Sequence, residues 1–563
     1  MKPSKKAEIK KNKIQAAKSK DLLEITDNFL TKKLDTWFWV FFGISVLFTI
    51  LLFDLRVSVG GDDSEYIIRA DNLVKDFKYP SFQGPLYPMI LAIFIGIFGI
   101  KLWILKLLSA IFLTAHLYLI YRCFKNKIPS IVLIGTILLI SINSFLLFYG
   151  SQTYSEAFFL MVQILFFAFF FKYYLIPESS LPLAKEWPRY IALGAIILAL
   201  GLIKTIGYAS FFAVILFFAF EKRWKSAIFA TAGFSVSFGL WQLVKYLVWH
   251  DKKAQFSDQA VSLLQKHPYD ASQGVETFGG FIQRVIDNSN IYISRQLFEI
   301  FGLRPELVQV DDALVAPPVM PTLTLLVYIL FFIGLFRSLR TNKYLFFTGI
   351  YLFIMTGITF LSLQTLWESK RLIMSVFPFM VMFLIAGIYY FFSIKKLKEF
   401  QFIVPLVLVI LFFSTINTSM DKIKEHQKVF KEHLKGNITA GMTPDWVNFI
   451  KMSKWAAENI PQDKVIASRK PSISFIYTGR RFYGIYKVDS TDPDTLLNYL
   501  HEQKVQYVIM ASLRKVEARK TEYIINTIQR YLGFIQQKYP DKIKLVHQIG
   551  TPEDEPAYLF KIE

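Results

Sequence analysis

The sequence predicts a polytopic α-helical membrane protein of about eleven spans with a C-terminal extracytoplasmic α/β domain. Three observations carry this expectation. Of the 563 residues, 53% are hydrophobic and only 19% charged, for a mean hydropathy of +0.38, whereas a soluble chain of this length would divide into several more highly charged domains. Uncharged runs recur at the ~20 residues that a bilayer crossing needs, with Lys and Arg gathered in the short segments between them. From about Lys422 the apolar runs shorten to strand length, roughly five to eight residues, and alternate with amphipathic stretches. A net charge of +21 would point to nucleic acid in a soluble protein, but these cations sit in loops and form no basic face interleaved with aromatics, which excludes nucleic acid as a partner. The single cysteine, Cys123, rules out an internal disulfide and a cysteine-based metal site.

Residues 1–36 are polar and Lys-rich, with Lys2, Lys5, Lys6, Lys10, Lys11 and Lys13 clustered first. The stretch is too long for the basic region of a signal peptide, and no small-residue cleavage pattern follows Phe53, so it reads as a cytoplasmic tail before an uncleaved span at 37–53. Residues 54–101 are then an external loop. Within it, 85–99 is apolar but short; if it crossed as well as 102–121, Arg122, Lys125 and Lys127 would lie outside, so it reads as a helix at the outer interface. Further spans are expected at 131–149, 157–176, 190–203, 206–220, 227–249, 322–336, 345–363, 372–392 and 402–416. A second external loop occupies 250–318. The transmembrane region is thus 37–420, with the N-terminus inside and residues 421–563 outside. In that last domain, helices are expected at 445–459, 495–503 and 522–538, and strands at 464–468, 481–487, 505–511, 543–548 and 557–562.

Three charged features have no topological job. Asp62-Asp63-Ser64-Glu65-Tyr66 lies just after the first span; as structure, Asp62 or Asp63 caps a helix whose apolar stripe is Tyr66, Ala70, Leu73 and Phe77. A capped helix at the surface would also hold the carboxylates rigidly. Glu156 opens a span from a short external turn, where the helix dipole favours it. Lys204 and the dyad Lys370-Arg371 stand at external span ends, where cations work against insertion in this orientation unless an anion meets them. Carboxylates that activate a nucleophile, and cations that hold a departing phosphate, are what transfer from a phosphate-linked lipid requires. No G-x-x-x-x-G-K-[ST] loop occurs, so a pre-activated lipid donor is the economical inference.

The run Asp62-Asp63-Ser64-Glu65-Tyr66-Ile67-Ile68-Arg69-Ala70, with Gly84-Pro85-Leu86-Tyr87-Pro88 and Phe98-Gly99, resembles the first external loop of GT-C-fold glycosyltransferases, in the group of dolichyl-phosphate-mannose–protein mannosyltransferases and bacterial aminoarabinose transferases. The likeness continues, patchily, through Ser155-Glu156, Lys204-Thr205, Arg371 before Pro378, and the segments Trp455–Pro461, Ser468–Pro471 and Tyr477–Arg480. It implies a polyprenyl-phosphate-sugar donor embedded in membrane lipid, an extracytoplasmic acceptor (protein, lipid or glycan), inversion by direct displacement, and a bacterial inner or plasma membrane. It also implies that Asp62 or Asp63 is the catalytic carboxylate, that Glu156 is the second acidic position, and that Lys204, Lys370 and Arg371 face the donor phosphate. Many relatives have Pro-Pro-Leu where this chain has Gly84-Pro85-Leu86, which bears on the acceptor subclass. A divalent metal stays open, because paired carboxylates can hold one but no ligand set is complete. The alternatives are a transporter or flippase of lipid-linked sugars, disfavoured by the absence of internal repeats, and a non-catalytic envelope-assembly protein.

Overall fold

The structure, a computed structural model, describes residues 21–81, 83–176, 183–250, 263–267, 273–310, 313–514 and 525–563. Parts of the expected tail, of the expected loop 250–318 and of the expected helix 522–538 lie outside the described residues. The chain forms two compact units. One comprises Met1–Leu52, Ala110–Gly150 and Ser155–Lys424, the other Phe53–Ser109, Ser151–Tyr154 and Glu425–Glu563.

Among the described residues, eight helices are long and apolar enough to cross a membrane: Leu34–Leu51, Leu102–Phe124, Ser155–Tyr173, Lys185–Ile203, Trp224–Trp249, Pro321–Thr341, Lys343–Ser362 and Ile403–Leu434. Ser130–Ser141 and Ser144–Ser151, bent by 56°, make a ninth if taken as one broken span. Thr205–Phe220 and Phe377–Phe392 occupy the remaining expected span positions but are shorter, so the expected eleven shrink to eight or nine by length. The chain is an integral membrane protein.

The interruptions have local causes. Asn143 leaves the helix and caps the next one by accepting the Leu146 N–H at 3.0 Å, while its amide donates to the Ile300 carbonyl at 2.8 Å. At Lys204 the backbone is extended, and the following turn presses Gly207 so tightly on the Leu200 backbone that a Cβ there would collide. The two helices expected within 190–220 are thereby separated. Expected span 372–392 breaks after Met374 and restarts at Phe377, with Pro378 in the first turn, where its missing N–H costs nothing.

The stretch expected as external loop 250–318 contains a helical run, Phe278–Ser289 continued by a π-helical turn Asn290–Gln296 and by Leu297–Ile300. It is packed into its unit: Ile291, Tyr292, Ile293, Leu297 and Ile300 are buried, and the Asn288 amide donates to the carbonyls of Phe360 at 2.7 Å and Leu363 at 2.8 Å. A short antiparallel hairpin follows, β1 (Val308–Val310) and β2 (Ala313–Val315).

In the other unit, β3 (Val465–Ser468), β4 (Tyr483–Gly484), β5 (Val505–Ala511), β6 (Ile543–Ile549) and β7 (Ala557–Ile562) form one mixed sheet in the order β4-β3-β5-β7-β6. The β3 strand pairs parallel to β4 and β5, and β7 pairs antiparallel to β5 and β6. Helices Pro444–Asn459, Pro493–Glu502 and Thr527–Lys538 match expected elements, whereas Pro471–Thr478 was not foreseen. One core of this unit gathers Trp446, Phe449, Ile450, Ile473 and Leu559 around Val57, so the loop after the first span is built into the same core as the C-terminal helices. Helices Asp62–Asp76 and Leu86–Phe98 pack together in this unit, with Tyr66 edge-on to Tyr87 at 5.2 Å. The second helix leaves Ile93, Ile97 and Phe98 exposed.

Arg480 closes the end of helix Pro444–Asn459. Its buried guanidinium donates to the carbonyls of Ile460 at 2.5 Å, Pro461 at 2.7 Å and Lys464 at 2.7 Å. Arg480→Ala is expected to lower stability by on the order of 3 kcal/mol, because buried carbonyls lose charged donors, and Arg480→Lys to recover only part. Denaturation of the purified full-length protein checks this; an unchanged midpoint for Arg480→Ala would sink it.

Candidate active site

The acidic loop is positioned by its own backbone. Gly61 precedes helix Asp62–Asp76 with φ +89°, a left-handed conformation that any Cβ would strain and that would also press on the Lys470 ammonium. Gly61 is therefore the N-cap residue, and neither Asp62 nor Asp63 takes that position as expected. Asp63 instead staples loop to helix: Oδ2 accepts the Ser58 N–H at 2.7 Å, and Oδ1 accepts the Ser64 N–H at 2.7 Å. Asp63 is fully buried, while Asp62, the first helical residue, is half-buried. The expected stripe holds at Tyr66 and Ala70, is joined by Ile67, and fails at Phe77, which ends the helix left-handed and exposed.

Several side chains missed in the sequence complete this cluster. Lys106 is fully buried, and its ammonium donates to the Ser151 carbonyl at 2.9 Å and to Gln152 Oε1 at 3.3 Å. A lone lysine within an apolar stretch was the available signal for it. Asp54 is buried against Arg56, which donates to it from Nε at 3.2 Å and from the backbone at 2.8 Å. Tyr154 donates its hydroxyl to Ser58 Oγ at 2.7 Å, and the half-buried Lys470 donates to the Gly60 carbonyl at 2.8 Å. Glu65 pairs with Arg69 at 3.5 Å and accepts the Tyr486 hydroxyl at 3.4 Å.

The electrostatics follow from burial. Desolvation pushes the Asp63 carboxyl up to about 6 against the charge of Lys106 and its two N–H bonds. Burial also penalises Asp54, but the charges of Arg56 and Lys106 and the Arg56 hydrogen bonds outweigh it and hold that carboxyl below the ordinary carboxylate range. Lys470 is drawn down to about 8 by burial and the neighbouring Arg469 charge, opposed by Asp62, Asp63 and Glu65.

The other unit holds a second cluster. Glu156 is fully buried at the start of helix Ser155–Tyr173, and its Oε1 accepts both Lys204 Nζ at 2.8 Å and Arg371 Nε at 2.7 Å. Its Oε2 has no hydrogen-bond partner among the described residues. Lys370 is not brought to this trio. Its ammonium pairs with Glu299 at 3.2 Å and Glu306 at 3.2 Å and lies over the Phe145 ring at 4.6 Å. Lys422 shares Glu306 at 3.0 Å and stands on the same ring, so Lys370 belongs to a separate charge network. Among the described residues, no group of three or more His, Cys, Asp or Glu could hold a metal ion.

No protein family matches the chain, and no curated protein sequence matches it. Among solved structures, the apo oligosaccharyltransferase of Archaeoglobus fulgidus aligns with a TM-score of 0.52 at 11% identity, covering 93% of this chain and 74% of its own. The same organism's oligosaccharyltransferase AglB, in complex with an inhibitory peptide and a dolichol-phosphate, aligns with a TM-score of 0.51 at 11% identity and the same coverage. ArnT from Cupriavidus metallidurans in the apo state aligns with a TM-score of 0.49 at 11% identity, over 94% of this chain and 98% of its own. The fold is thus the GT-C fold of the oligosaccharyltransferase.

The raised Asp63 carboxyl has a measurable consequence. A carboxyl whose folded value lies above its ordinary 3.8 stabilises the fold fully below pH ~4, and that contribution is lost as pH rises through about 6. The difference in melting temperature between wild type and Asp63→Asn is therefore expected to shift against the wild type between pH ~4 and ~6. A difference that stays flat, or moves the other way, contradicts the assignment.

Proposed function

We propose that the chain is a membrane glycosyltransferase that moves a hexosyl or pentosyl group from a polyprenyl-phosphate-linked donor to an extracytoplasmic acceptor, with inversion at the anomeric carbon. Under this proposal residues 1–36 are cytoplasmic, 37–420 form the transmembrane domain and 421–563 the extracytoplasmic domain, in a bacterial inner or plasma membrane. The shared fold supports the class of reaction, and the dolichol-phosphate in the AglB complex supports a lipid phosphate as the donor's leaving group.

The observation that carries the proposal is the division of labour within the acidic pair. Both oxygens of Asp63 are taken by backbone N–H groups in a fully buried position, so it is a positioning residue. Asp62, half-buried on a helix start that Asp63 and Lys470 brace through the Ser58–Gly61 turn, is the general base. As the acceptor oxygen bonds to the anomeric carbon, Asp62 takes the acceptor's proton. The bond from that carbon to the phosphate oxygen breaks, and the lipid phosphate leaves with the electron pair. Lys204 and Arg371 are assigned to that phosphate. Glu156, shared between them, leaves the trio with one net positive charge and fixes the Arg371 guanidinium through Nε. Lys370, bound up with Glu299 and Glu306, is given no part in donor binding. No step is assigned to a divalent ion, and among the described residues no group of three or more His, Cys, Asp or Glu could hold one.

For Asp62→Asn in the folded, membrane-inserted protein, kcat for transfer from a polyprenyl-phosphate-sugar donor is expected to fall ~10²- to 10⁴-fold with little change in donor KM. Undiminished transfer would remove Asp62 from catalysis. Arg371→Ala is expected to raise donor KM on the order of 10- to 100-fold, the loss of charged hydrogen bonds to phosphate. If only the acceptor KM rises, the phosphate assignment is wrong.

A further inference from the structure

Within one unit, helices Pro321–Thr341 and Phe377–Phe392 meet at glycines. A Cβ at Gly387 would collide with the Leu330 carbonyl, and one at Gly334 would stand 3.3 Å from the Phe383 ring. Helices that cross this closely diverge on either side of the crossing and leave room there unless large side chains fill it. Toward the C-terminal ends of both helices that room is a cavity of about 360 Å³, at the small end of the ~300–1,000 Å³ typical of ligand sites. Phe332, Ile333, Phe336 and Arg337 line it from the first helix, Tyr390 and Ile394 from the second and its end. Phe332 stacks on Phe353 of helix Lys343–Ser362 with ring centres 4.9 Å apart, and the Tyr390 hydroxyl accepts that of Thr341 at 3.3 Å. The walls are thus mostly apolar, and side chains on both sides are held by their neighbours.

Among the residues lining the cavity, Arg337 alone is charged, and among the described residues it enters no ion pair. Topology asks for cations in loops, whereas Arg337 stands inside the helix, exposed next to Phe336 and a turn before the end at Thr341. The adjoining segments 337–343 and 394–400 carry six cations and one acid, Glu399. Of these cations, Lys343 pairs with Glu221 and Lys398 with Asp21. An apolar cavity with a cation at the end of hydrophobic helices fits a molecule that joins a hydrocarbon chain to a phosphate. The donor phosphate proposed above lies elsewhere. Arg371 precedes helix Phe377–Phe392, whereas Tyr390 and Ile394 stand at its far end, and the 16 residues between span ~24 Å.

We infer that this cavity takes an acyl chain of an anionic phospholipid whose phosphate is held by Arg337. The site is independent of the transferase reading. The experiment uses the full-length protein in phosphatidylcholine vesicles containing a phosphatidylglycerol with a diazirine midway along one acyl chain. After photolysis, labelled peptides are mapped by mass spectrometry. Label is expected within 329–337 and 390–394, displaced by unlabelled phosphatidylglycerol but not by added phosphatidylcholine. At limiting probe, Arg337→Ala is expected to lower this label ~10-fold, the loss of a charged hydrogen bond to phosphate, and Arg337→Lys to recover part of it. Ile333→Trp, which fills the cavity and keeps the charge, lowers it too, while label on helix Leu34–Leu51 stays constant as the control for folding. Equal labelling by the same probe built on phosphatidylcholine overturns the headgroup assignment in the unmodified protein, whatever the variants do. Unchanged label in folded Arg337→Ala overturns the role of Arg337. Displacement by undecaprenyl phosphate at lower concentration than by phosphatidylglycerol overturns the phospholipid as occupant.

Discussion

A charge removed from water must find partners, and that constraint organises both units of this chain. Glu156 lies fully buried at a span start and is matched by Lys204 and Arg371 on a single oxygen. Asp63 and Lys106, both fully buried, are matched by backbone groups as well as by each other's field. Asp54 is matched by Arg56. The Glu156 and Lys106 contacts draw together residues distant in sequence, whereas Asp63 and Asp54 bind near neighbours and fix a local turn. Asp63, Glu156, Lys204 and Arg371, singled out in the sequence as candidates, are thus also structural ties at helix starts.

The same constraint explains why adjacent residues of the acidic loop sit in different environments. Asp63 accepts the N–H groups of Ser58 and Ser64, which ties the turn through Ser58–Gly61 to the helix, while Asp62 is the half-buried member of the pair. Lys470 reaches the same turn from the segment before helix Pro471–Thr478, and Tyr154 reaches Ser58 from the chain just ahead of Glu156. The C-terminal residues are thus part of the loop's support, with Val57 sealed among Trp446, Phe449 and Ile473. Under the proposed function, this bracing would hold the Asp62 carboxylate against an acceptor, where misplacement by even a small distance is costly.

Much of the architecture was legible because bilayer crossing depends on composition summed over a long window. Helices occur at every expected span position, and the strands 505–511 and 557–562 fall where alternation and apolar runs put them. The misses occurred where single contacts overrule such sums. The bend at Asn143 depends on a carbonyl at Ile300, and the turn at Gly207 on the close approach of Leu200. The run Phe278–Ile300 looks like loop because its polar Asn288, Arg295 and Glu299 interrupt the apolar pattern, yet these are buried with partners. Lys370 and Arg371 are inseparable in sequence, but successive residues at a helix start point in different directions, so they meet different acids.

The sequence by itself determined the integral-membrane character, the number of helical segments to within the short ones, and the small C-terminal α/β domain. Hydropathy, charge asymmetry and periodicity are properties of segments and need no knowledge of neighbours. It also nominated the acidic pair, because two carboxylates and a helix start coincide in one short run. Only the tertiary structure decided that Gly61 holds the N-cap position, that Asp63 is spent on the backbone, that Lys106 and Lys470 belong to the acidic loop, and that Lys370 stands apart from Glu156. Most of those outcomes turn on which partner each charge reaches, and a partner such as Gly60 for Lys470 leaves no mark on the local sequence.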